Sequence, residues 1–70
     1  MTLAKDEYLR FGRYVIGKEH VQGSRFRAVV IDLEAKPSSP ERIVFRAIKQ
    51  NWTIASRAEC RGWILAMLQA

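Results

Sequence analysis

Seventy residues leave room for one small domain and no second folding unit. Twelve Lys and Arg against seven Asp and Glu give a net charge of +5, and an apolar content of 49% is too high for a disordered basic tail. One cysteine rules out an internal disulfide, and no apolar run approaches the ~18–20 residues that span a bilayer, so a soluble protein is expected, with no membrane partner.

The first residues, Met1-Thr2-Leu3-Ala4-Lys5-Asp6-Glu7, bring acids before any apolar run, which is unlike a secretion signal. Thr2 is placed to cap a short first helix carrying Leu3, Tyr8 and Leu9, with Asp6 and Glu7 near its positive end; Gly12 closes the pattern. Phe11 to His20 reads as a strand because Tyr14, Val15 and Ile16 are aromatic or β-branched. Val21-Gln22-Gly23-Ser24 then turns the chain, Gly23 being free to adopt positive φ.

Arg25 to Glu34 alternates as a second strand, with Phe26, Ala28 and Val30 on one side and Arg25, Arg27, Val29, Ile31 and Leu33 on the other. The loop Ala35-Lys36-Pro37-Ser38-Ser39-Pro40 leads to a third strand, Glu41 to Lys49. There Ile43, Phe45 and Ala47 oppose Arg42, Val44, Arg46 and Ile48. Gln50-Asn51 reads as a turn, and Trp52-Thr53-Ile54 as a stub of a fourth strand. Ser56 and Glu59 have the spacing of a capping box. Beyond them Cys60, Trp63, Ile64, Met67 and Leu68 fall on one helical stripe, bordered by Arg57 and Arg61.

The expected fold is therefore α+β. Three, or with the stub four, antiparallel strands form a meander, with a short N-terminal helix and a C-terminal amphipathic helix packed on one face. Phe26, Ala28, Val30, Ile43, Phe45 and Ala47 are the expected core side. The outer side then carries Arg25, Arg27, Arg42 and Arg46, joined by Tyr14 and Lys18 if the first hairpin pairs in its simplest register. Sheet side chains alternate, so a slip of one residue would exchange the faces of the first strand.

Catalytic motifs are missing from the sequence. It has no glycine-rich phosphate loop, no His or Cys pair at metal-ligand spacing and no nucleophile elbow. His20, the single histidine, sits beside a turn and is read as solvated, although very small ribonucleases can work with one histidine on a sheet. Asp32 and Glu34 share a strand face without a partner acid or histidine, and are read as solvated or arginine-paired. No enzyme, cofactor or metal is expected. Cys60 on the apolar stripe is read as a buried small hydrophobe, which suits a reducing, cytoplasmic setting.

Arginine carries the functional signal. Eight of the twelve basic residues are Arg, whose planar fork matches phosphate better than a lysine does. Two groups stand out: the sheet-face set Arg25, Arg27, Arg42 and Arg46, with Tyr14 for stacking, and the helix-edge pair Arg57 and Arg61, near backbone N–H groups that favour anions. A competing feature is the apolar set Val29, Ile31, Val44 and Ile48 on the arginine side. Apolar area framed by arginine also marks protein interfaces. Trp63 is read as core, whereas Trp52 has the freedom to be exposed.

In element order and length the chain resembles the double-stranded-RNA-binding domain. Ser56-Arg57-Ala58-Glu59-Cys60-Arg61 partly matches the start of that family's closing helix, and Gly23-Ser24-Arg25-Phe26 resembles the start of its second strand. The resemblance implies phosphate contacts by Arg57 and Arg61. The chain departs from the pattern at Ala58, where a base is expected, in having no glycine-rich turn before Ser56, and in a longer third strand. It is also similar in topology and charge to the three-stranded-sheet-plus-helix domains of integrase arms and plant ethylene-response factors. That likeness implies a sheet face lying in a DNA groove, with Arg25, Arg27, Arg42 and Arg46 as its contacts. The strand, turn and Trp-bearing helix at the end resemble those of small phage-borne proteins, which implies no activity. The leading expectation is a non-enzymatic nucleic-acid-binding module. The alternative is a protein-interaction or self-associating, dimeric adaptor using the apolar sheet face.

Overall fold

The computed structural model describes residues 10–70. Among these residues the architecture is α+β: four antiparallel strands in one sheet, with an α-helix at the C-terminal end. The strands are β1 (Arg10–Phe11), β2 (Tyr14–Gln22), β3 (Arg25–Asp32) and β4 (Ile43–Arg46), in the spatial order β1-β2-β3-β4. Helix α1 spans Ile54–Gln69. The N-terminal helix expected before Gly12 lies outside the described residues, except that Arg10 and Phe11 are strand.

Two glycines set the hairpins. Gly12 (φ 61°) and Gly23 (φ 58°) each occupy the first position of a two-residue loop, before Arg13 and Ser24. Positive φ at that position alone is the pattern of a type II′ turn, whose twist matches that of the flanking strands. Gly12, expected to end a helix, instead makes the turn that folds β1 onto β2. The fourth strand is thus β1 at the start of the sheet, and Trp52 and Thr53 lie in the loop before α1.

Register decides which side chains meet the helix. Gln22 pairs with Arg25, but His20 pairs with Phe26, so Val21 is an extra residue in the ladder. Such a bulge shifts pairing by one and exchanges faces. As a result Ile16 lies opposite Val30, Lys18 opposite Ala28, and Tyr14 opposite Asp32. This corrects the placement of Tyr14 and Lys18: they share the helix side with Phe26, Ala28 and Val30, away from Arg25 and Arg27. A second slip falls between Val30, paired with Phe45, and Ile31, paired with Ile43. Val44 is the extra residue there, and Ile43 leaves the core register for the side of Ile31. The third strand is also shorter than the expected 41–49, because Pro40–Arg42 form a turn of 3₁₀ helix capped by the Ser39 hydroxyl.

The core is small and closely made. Ile16, Ala28, Val30 and Ala47 from the sheet side pack on Cys60 and Ile64 of α1, with Phe11, Tyr14, Phe45, Trp52 and Trp63 closing around them. Phe26, expected among these, lies at the Gly23 end of the sheet and is exposed. Trp63 stacks on Phe45 at 5.7 Å and meets Tyr14 edge-on at 5.5 Å. The helix begins earlier than the Ser56/Glu59 pattern predicts. Thr53 is the N-cap: its hydroxyl accepts from Ser56 N at 3.1 Å, and Thr53 N donates to Ser56 Oγ at 2.9 Å. Glu59 serves elsewhere, accepting from the Ile48 backbone N–H at 3.1 Å. Met67 and Leu68, which the stripe places inward, are exposed toward the end of the helix. No helix among the described residues is long and apolar enough to cross a membrane.

Candidate nucleic-acid interface

Arginines expected on the sheet face do not form one open patch. Arg46 is engaged with Glu19 through paired contacts at 2.8 and 3.0 Å. The bridge crosses from β4 to β2 above β3, and it lowers the Glu19 carboxyl below its ordinary range, chiefly through the hydrogen bond from Arg46. Arg42 sits in the 3₁₀ turn rather than on a strand, and its Nη1 donates to the carbonyls of Ala35 (2.8 Å) and Leu33 (3.4 Å). Arg27 is half-buried, and its buried Nε has no hydrogen-bond partner among the described residues. Arg25, at the start of β3, is exposed.

The apolar set on that side is divided too. Val29 is 1% exposed, and Ile31 lies against β2, where a Cβ on Gly17 would come within 2.6 Å of its δ-methyl. Val44 is exposed at the second bulge. Ile48, 84% exposed, lies beyond the end of β4, in the loop beside α1.

At the β1–β2 turn, Arg13 grips Asp32 with both arms of its fork (3.0 and 2.7 Å) and reaches Glu34 at 3.2 Å. Asp32 also accepts from Glu34 N at 2.9 Å. Its carboxyl is held below the ordinary value, first by the Arg13 hydrogen bond and then by that backbone N–H. Asp32 and Glu34 are therefore structural partners of one arginine, and among the described residues no group of acids, His and Cys is placed to hold a metal.

A different arrangement occupies the helix side, at the Gly23 end of the sheet. The Val21 bulge aims Lys18 and His20 of β2 toward Phe26 of β3, while Trp52 and Arg57 approach from the start of α1. Lys18 Nζ lies 5.6 Å from the centre of the Phe26 ring and 5.2 Å from that of Trp52. The Arg57 guanidinium stands 5.1 Å from the Trp52 ring centre, steadied by Nε donating to Thr53 O at 3.1 Å. His20 meets Phe26 edge-on at 5.5 Å, and its Nε2–H donates to Gly23 O at 2.6 Å. Phe26 remains 37% exposed and Trp52 half-buried. Arg61 is exposed one turn beyond Arg57.

These contacts differ in kind from those of the outer face. Cations over ring faces are held by the quadrupole of the ring, an attraction of only ~0.5–1 kcal/mol at exposed sites, and keep their charge available to an anion. Among the described residues neither Lys18, Arg57 nor Arg61 has a carboxylate within ion-pair distance, whereas Arg13 and Arg46 do. The sequence marks Arg57 and Arg61 but not Lys18 and Phe26 as part of the same group. The only available signal is the run Lys18, His20, Phe26 around a Gly-Ser turn, and its meaning depends on a bulge that no local residue pattern announces. The chain matches no known family model, no curated protein and no solved structure.

Proposed function

We propose that this chain is a small non-enzymatic nucleic-acid-binding module of the cytoplasm, and that its binding surface is the helix-side group Lys18, Phe26, Trp52 and Arg57, extended by Arg61. The supporting observation is the pairing of exposed aromatic surface with cations that no carboxylate neutralises among the described residues. Phosphate supplies the anion such cations attract, and bases supply the flat partner for the rings. The sheet-face arginines are assigned a lesser share, because Arg46 and Arg42 would have to give up existing partners to reach a phosphate and Arg27 is half-buried, which leaves Arg25 as the exposed one of the four without such a partner among the described residues.

Binding to labelled oligonucleotides over a range of salt concentrations tests this reading. Affinity should fall steeply as salt rises, and Lys18→Gln with Arg57→Gln should reduce the log–log salt slope by about 1 to 2. Arg25→Gln should change it little. An affinity indifferent to salt, or unchanged in the double variant, contradicts the proposal.

A second reading, a protein-interaction or self-associating module, draws support from Ile54, Leu65, Met67 and Leu68, all exposed on α1. Of the sheet residues Val29, Ile31, Val44 and Ile48, Val29 is already buried while Val44 and Ile48 are exposed, so this reading draws most of its interface from the helix. Under this reading the solution mass exceeds that of the monomer and falls to it in Leu65→Glu/Leu68→Glu.

A further inference from the structure

We infer that the preferred ligand of the Lys18–Arg57 surface is a single strand rather than a duplex; this rests on the nucleic-acid reading above. The order of groups carries the argument. Phe26, Lys18, Trp52 and Arg57 alternate ring, cation, ring, cation, with successive separations of 5.6, 5.2 and 5.1 Å. They come from three different parts of the fold (the β2–β3 hairpin, the loop before α1, and α1), so no single amphipathic pattern produces the alternation as a by-product.

A single strand offers the same alternation, with a base and a phosphate in each nucleotide. In a duplex each interior base has both faces covered by its neighbours, and a protein meets phosphates and groove edges. An exposed ring face is therefore of little use against a duplex and of direct use against an unstacked base. Phe26 is such a ring. It is 37% exposed on the sheet surface, with His20 against it edge-on and the Lys18 ammonium over the ring. Replacing the cation–ring contacts costs little, so a base can take the ring face while the ammonium and guanidinium move to phosphate.

The test compares a labelled oligodeoxythymidylate with a duplex of equal length by fluorescence anisotropy, using the intact protein, Phe26→Ala and Arg57→Gln. The single strand should bind at least about fivefold tighter than the duplex, and Phe26→Ala should remove at least about fivefold of that affinity while weakening duplex binding by clearly less. Arg57→Gln should weaken both. A second measurement needs no change at Phe26. In Trp63→Phe, where Trp52 is the remaining tryptophan, the single strand should quench indole emission and the duplex should not. Equal or tighter duplex binding, or duplex quenching equal to that by the single strand, overturns the inference and leaves the nucleic-acid reading standing. If neither oligonucleotide binds, both fall together.

Discussion

Cys60 lies against Ala47 and the sheet, and burial, aided by the nearby charge of Glu59, pushes its thiol up to about 11. At neutral pH almost none of it is thiolate, the form that reacts. Iodoacetamide should leave the folded protein unmodified at pH 8 and label it promptly in denaturant; rapid native labelling would show that the α1–sheet contact opens readily. Asp32 follows from the same kind of reasoning with opposite sign. Its folded value lies below the unfolded one because Arg13 and the Glu34 N–H favour the charged form. The unfolded state therefore binds a proton first as pH falls, so this stabilisation is complete at neutral pH and is lost below about pH 4. Glu19, lowered by Arg46, adds to the same trend. Thermal midpoints should stay level from mildly acidic to neutral pH and drop in stronger acid, and Asp32→Asn should flatten that drop. A variant with an unaltered acid profile would show that the Arg13 contact contributes nothing.

Elements are legible in the sequence where their chemistry is local. In β3 and β4, Ala28, Val30 and Phe45 alternate with charged or outward residues, and the structure sets them on the helix side as that alternation requires. The C-terminal helix is legible too, from Cys60 and Ile64. What cannot be read is register. Tyr14-Val15-Ile16 is apolar on both sides, so nothing in β2 states which face turns inward, and one extra residue at Val21 settles it. The same limit hides the proposed binding group, since Lys18 and Phe26 come together only through that bulge. Turn chemistry accounts for the other differences: Gly12 suits a helix end as well as a II′ turn, and Ser56 suits a cap as well as the third helical position. Because Thr53 is the true cap, Thr53→Ala should cost about 1 kcal/mol in urea denaturation, more than Glu59→Gln; the reverse order would restore the Ser56–Glu59 box as the helix start.

At the scale of the whole molecule, the sheet has two chemically different sides. On one, Arg46 is tied down by Glu19 and Arg42 by loop carbonyls while Arg25 stays exposed, and the other collects Lys18, Arg57 and two aromatic rings beside the start of α1. A core this small gives a domain only ~3–5 kcal/mol of stability, so a ligand held by several elements at once should also raise the melting temperature. The most direct measurement is a nuclear magnetic resonance titration of the isotope-labelled protein with a short single-stranded oligonucleotide. The largest shift changes should fall on the amides of Lys18, Phe26 and Arg57 and on the Trp52 indole, with Arg25 and Arg46 little moved. Changes concentrated on Arg25, Arg27 and Arg46, or no changes at all, would contradict the proposed binding surface.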